Sequence, residues 1–114
     1  MKSANVVAAL GALAQESRLA VFRLLVKRGP DGYSPGELAE KLQIPGPTLS
    51  FHLKELLRAE LIASRREGRS LYYSANFDTM HGVVDFLSEN CCSLADEACD
   101  TQCKPVTTKR RKSA

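Results

Sequence analysis

A mainly α-helical domain with one small β-hairpin, in the order α-α-α-α-β-β-α, is what three features of this 114-residue chain predict. Apolar residues recur at spacings of three and four in several segments, Pro-Gly punctuation separates the middle helices, and two strand-like runs flank a short Gly-containing connection. The length is that of a single domain. With 44% apolar and 25% charged residues the composition matches an ordinary soluble protein and excludes a disordered chain. No stretch approaches the roughly 18 apolar residues that a membrane span needs, so no membrane partner is expected. The longest near-continuous apolar run, Val6 to Ala14, imitates a short secretory signal that ends in Ala12-Leu13-Ala14. Its apolar part is shorter than the usual roughly 7 to 15 residues, and a buried first helix is the expected reading.

Each element has a local cause. Val6 to Ala14 and Ser17 to Lys27 read as two helices, the second with Leu19, Phe22, Leu25 and Val26 on one stripe. Gly29-Pro30-Asp31-Gly32 ends it. Ser34-Pro35-Gly36-Glu37 supplies a capping box with Pro at the first helical position, opening a short helix that runs to Leu42. Gln43-Ile44-Pro45-Gly46 breaks the chain again, and Pro47 to Ala59 forms a helix whose buried stripe is expected at Leu49, Leu53, Leu56 and Leu57. Leu61 to Arg66 and Ser70 to Ser74 make the hairpin around Glu67-Gly68-Arg69. From about Asp78, Met80, Val83, Val84 and Leu87 mark a last helix that delivers Cys91 and Cys92 near its end. Residues 1–92 are the expected folded unit, and 93–114 a cysteine-containing basic tail whose last eleven residues offer nothing to bury.

Two short helices across a tight turn, followed directly by a hairpin, are the arrangement of a winged helix-turn-helix that lays its second helix in the DNA major groove. With the leucines buried, Thr48, Ser50, Phe51, Lys54 and Arg58 remain on the outer positions of that helix, with His52 near the border. Thr48, Ser50 and His52 suit base edges or phosphates, Lys54 and Arg58 suit phosphates, and the hairpin adds Arg65, Arg66 and Arg69. The net charge of +3 does not carry this argument, because five cations lie in the last eleven residues and the rest of the chain is at −2. Between Pro47 and Ser70, however, five cations face three acids, so a local basic patch exists. Polar helix faces and hairpin arginines are also ordinary solvated features, and spacing alone leaves both readings open.

The four cysteines form one cluster, Cys91-Cys92-x6-Cys99-x3-Cys103. Bridges within thirteen residues cannot cross-link distant parts of a fold, whereas soft thiolates at this spacing can converge on one thiophilic ion. Trivalent arsenic or antimony needs three sulfurs in a pyramid, and tetrahedral zinc would need all four. A local disulfide, or no role, is the bland alternative. No paired carboxylates, phosphate-cradling Gly loop or nucleophile-base pattern points to an enzyme.

The segments PTLSFHLKELLRAELI and SRREGRSLYYS closely resemble the recognition helix and wing of the ArsR/SmtB repressors, through Ser50, His52 and Leu53, then Arg65, Gly68, Arg69 and Tyr73. ALAQESRLAVFRLL is similar to the family's second helix, and the resemblance spans about residues 5–90. It implies a cytoplasmic, homodimeric transcriptional repressor held together by its first and last helices. Each protomer would offer one recognition helix to an imperfect inverted repeat in double-stranded operator DNA, the half-sites roughly 34 to 36 Å apart. The apolar positions Val6, Val7, Leu10, Val83, Val84 and Leu87 belong either to that interface or to the core.

The same resemblance implies release from the operator when As(III) or Sb(III), as inducer, binds Cys91, Cys92 and a third cysteine. Cys99 suits that role better than Cys103 on loop length. The family's alternative cysteine site on the helix before the recognition helix is absent, since Ser34 to Leu42 holds no cysteine. A zinc site on the last helix is matched only in part, by Asp78, His81, Asp85 and Glu89. One departure is Glu60, where the family usually closes the recognition helix with glycine, which leaves the cap geometry open. Alternatives are a repressor that senses Cd, Pb, Zn or thiol oxidation and, from another class, a thiol-based metalloid carrier.

Overall fold

In a computed structural model, residues 1–95 are described. Five helices and one hairpin follow in the expected order: α1 Ser3–Leu13, α2 Glu16–Arg28, α3 Pro35–Leu42, α4 Gly46–Arg58, β1 Ile62–Glu67, β2 Ser70–Ala75 and α5 Phe77–Ser88. The strands pair antiparallel from Ile62 opposite Ala75 to Glu67 opposite Ser70, and Gly68 takes φ +65° in the two-residue connection, where a Cβ would be strained. Among the described residues no helix is long and apolar enough to cross a membrane.

Local chemistry sets the boundaries. Ser34 Oγ accepts from the Glu37 amide at 3.2 Å while Glu37 Oε1 accepts from the Ser34 amide at 2.9 Å, so the predicted capping box is present at the start of α3. Asn76 caps α5 by accepting from the Thr79 amide. At the other end α5 stops earlier than the sequence suggests. Ser88 is its last residue, Glu89 is extended at ψ 144°, and Asn90 turns left-handed at φ +58°. Cys91 and Cys92 therefore sit on a turn beyond α5 and not on the helix.

The core is a single cluster in which Val21 and Leu25 of α2, Leu38 of α3, Leu49 and Leu56 of α4, and Leu61 are fully buried. At roughly 1.5 to 3 kcal/mol for each large aliphatic side chain taken out of water, these residues fix how α2, α3 and α4 pack. The stripe on α2 is rotated from the predicted one: Val21 joins Phe22 and Leu25 inside, Val26 is half-buried and Leu19 is 42% exposed. On α4, Leu57 is only half-buried, and His52 fills the space beside Leu49, Leu53 and Leu56. Val6 and Val83 are buried, whereas Val7, Leu10, Val84 and Leu87 leave α1 and α5 with apolar side chains facing solvent.

Candidate nucleic-acid interface and cysteine pair

The turn from α3 to α4 aims α4 outward. Gln43 takes φ +56°, the Ile44 amide returns to the Ala39 carbonyl at 3.1 Å, and Pro45 enters α4 in extended conformation. The first turn of α4 carries no acid and no side-chain cap, so its unpaired amides remain available to an anion such as a DNA phosphate. Thr48, Ser50, Phe51, Lys54 and Arg58 are all exposed. Arg58 also donates to Glu55 Oε2 at 2.8 Å and lines a cleft against α1 with Ala8, Gly11 and Arg18.

His52 departs from the sequence expectation. It is 6% exposed, and its Nδ1 is buried with no hydrogen-bond partner among the described residues. Position 52 lies three residues after Leu49 and four before Leu56, in the middle of the leucine stripe, so its ring points into the core. Burial first, and the nearby Arg18 charge second, hold its pKa below the usual 6.5, which keeps the ring neutral at pH 7. With Nδ1 buried, the ring serves first as a packing group.

The three hairpin arginines also separate. Arg66 and Arg69 are exposed. Arg65 is half-buried, donating to Glu67 Oε2 at 2.9 Å and to the carbonyls of Pro30 at 3.4 Å and Asp31 at 3.2 Å, with its guanidinium 5.1 Å from the Tyr72 ring. It ties the hairpin to the loop between α2 and α3. A second tie lies beside it: Tyr33 and Tyr73 exchange backbone hydrogen bonds at 2.9 and 2.8 Å. Gly32, at φ +73°, lies so close that a Cβ would collide with the Tyr73 carbonyl. Arg28 Nε donates to the Gly32 carbonyl at 2.9 Å, and the cations of Arg28 and Lys41 lie 4.9 and 5.3 Å from the Tyr33 ring. Helical periodicity reads Gly29 to Gly32 only as a helix stop. Two glycines within four residues, followed by a tyrosine, are the sequence signal of a close backbone approach.

On the turn after α5, the Cys91 thiol is free and exposed, and its Sγ lies 3.6 Å from Cys92 Sγ. The turn is held by the Cys91 amide on the Ser88 carbonyl at 3.2 Å and the Ser93 amide on the Asn90 carbonyl at 3.0 Å. Cys99 and Cys103 lie outside the described residues. Among the described residues no three of His, Cys, Asp and Glu come together to hold a metal ion, so Asp78, His81, Asp85 and Glu89 form no site within one chain.

A helix-turn-helix domain family matches residues 13–65, from the end of α1 into β1. The chain is 44% identical over 68 residues to an uncharacterized HTH-type transcriptional regulator of Bacillus subtilis, YceK, covering 60% of this chain and 67% of that protein. It is 35% identical over 81 residues to the arsenical resistance operon repressor of the same organism, covering 71% and 73%. Among solved structures, an ArsR-like transcriptional regulator from Rhodococcus sp. RHA1 superposes with a TM-score of 0.69 at 22% identity, over 80% of this chain and 83% of that one. That last likeness speaks for the winged helix-turn-helix fold.

Proposed function

The chain belongs to the ArsR/SmtB family of transcriptional repressors, and on that premise we propose that it binds operator DNA as a homodimer and lets go when a thiophilic metalloid binds its carboxyl-terminal cysteines. DNA contact rests on Thr48, Ser50, Lys54 and Arg58 of α4 with Arg66 and Arg69 of the wing, all exposed on adjoining elements. Self-association is supported by Val7, Leu10, Val84 and Leu87, whose exposure on α1 and α5 is unusual for a monomer. Two copies related by a twofold axis then present two α4 helices to an inverted repeat.

The observation that carries the sensing step is the sulfur pair of Cys91 and Cys92, 3.6 Å apart on an exposed turn directly behind α5. Once Cys92, which is disulfide-bonded here, is reduced, the two adjacent soft donors suit As(III) or Sb(III), with Cys99 or Cys103 as third ligand. Ligation of a third sulfur from further along the chain would bind that segment to the end of α5, an element of the proposed dimer interface. The ion releases DNA only by preferring the conformation that binds it poorly, and a coupling of about 1 to 3 kcal/mol corresponds to a roughly 5- to 150-fold change in affinity.

A mobility shift on the DNA upstream of the protein's own gene tests this. Wild type is expected to release the duplex on adding arsenite, and Cys91→Ser and Cys92→Ser proteins to keep it. Variants that still dissociate would overturn the cysteine assignment. A second reading, thiol oxidation, is favoured by the free, exposed Cys91 thiol beside a Cys92 already held in a disulfide, and release by peroxide in chelated buffer would identify it. Competition titrations separate Cd, Pb and Zn from the metalloids. A protein acting only as a thiol carrier of metalloids would shift no operator at all.

A further inference from the structure

We infer that Phe51 is a base-reading residue whose ring packs against the C5 methyl group of a thymine in the operator major groove; this rests on the DNA-binding role of α4 proposed above. Phe51 is 54% exposed at the centre of the outward face of α4, one turn from both Pro47 and Lys54. Its ring contact within the protein is a tilted approach to His52, with centroids 5.9 Å apart.

A single apolar side chain on a surface is ordinary, so exposure alone carries nothing. Position distinguishes this one. The other large apolar side chains in solvent on helices α1, α2 and α5 include Val7, Leu10, Leu19, Val84 and Leu87, whereas Phe51 is the one on α4. Its exposed neighbours on that helix, Ser50, Lys54 and Arg58, are polar or cationic, which suits a charged groove and not an apolar protein partner. An α-helix of about 10 to 12 Å diameter fits a major groove of about 12 Å. The apolar group that groove displays is the thymine methyl, and Phe is among the side chains that read it. The polar residues around Phe51 then hold the register, while the ring adds preference for T·A over C·G at one step of each half-site.

The test requires only a duplex that the protein shifts. Each thymine of that duplex is replaced in turn by deoxyuridine, which removes the methyl group and leaves the pairing intact, and affinity is measured for wild type and Phe51→Ala. Wild type is expected to lose about three- to fivefold at one thymine position per half-site, the worth of one buried methyl-sized group. Phe51→Ala is expected to bind thymine and uracil duplexes equally at that position, with an unchanged salt slope, because no phosphate contact is lost. Wild-type binding that is indifferent to every thymine methyl, or a Phe51→Ala protein that keeps the uracil penalty, overturns the inference while the repressor reading stands. A protein that shifts no duplex overturns both. The wild-type arm depends on no variant, so wild-type indifference to every thymine methyl overturns the inference even where Phe51→Ala folds poorly.

Discussion

Glu60 sits at φ +62°, a left-handed conformation that glycine takes freely and a side chain resists. It closes α4 in a Schellman arrangement: the Leu61 amide bonds the Leu56 carbonyl at 3.0 Å, the Glu60 amide bonds the Leu57 carbonyl at 2.9 Å, and Leu56 packs with Leu61 in the core. The missing glycine has therefore not changed the cap; the buried leucines on either side impose the turn on a residue that disfavours it. Replacing Glu60 with glycine should raise stability by about 1 kcal/mol, read as a higher urea midpoint with an unchanged slope. The sequence reveals the departure at position 60 but not its outcome, because the deciding contacts come from Leu56 and Leu61 together. At position 52 the reverse holds. Spacing from Leu49 and Leu56 already places the ring inside, and the polarity of histidine draws attention away from that arithmetic.

The hairpin shows what is and is not local at the scale of an element. Its strands fall within a residue or so of the runs read from alternating residues around Gly68, since the turn and the pairing are encoded in neighbouring positions. Its attachment is not local: Arg65 reaches back more than thirty positions to Pro30 and Asp31, and Tyr73 pairs with Tyr33. Three arginines that look alike in the chain thus have different work. Arg69→Ala should weaken operator binding and reduce the salt slope by about one phosphate contact. Arg65→Ala should weaken binding with the slope unchanged and speed hydrogen exchange at the Tyr33 and Tyr73 amides. If its slope fell as that of Arg69→Ala does, Arg65 would be a phosphate ligand and not a brace.

For the molecule as a whole, helical periodicity marks the six apolar positions on α1 and α5 without dividing them between core and surface. Packing divides them: Val6 and Val83 turn inward, and Val7, Leu10, Val84 and Leu87 turn out, within helices too short to bury two faces against one neighbour. Placing charges on the outward set, as Val84→Glu with Leu87→Glu, should yield a folded monomer by sedimentation and abolish tight binding to a two-half-site duplex. A double variant that remained dimeric would show that the interface lies elsewhere. The cysteine spacing is legible in the sequence; that the first two lie past α5 is signalled only by Asn90, which takes the left-handed turn readily and which apolar periodicity alone passes over.

The paired tyrosine amides and the Arg65 brace tie the wing to the loop between α2 and α3. If the proposed inducer acts behind α5, these ties should carry the wing along with the helix-turn-helix, so that both groove-facing pieces leave the duplex together.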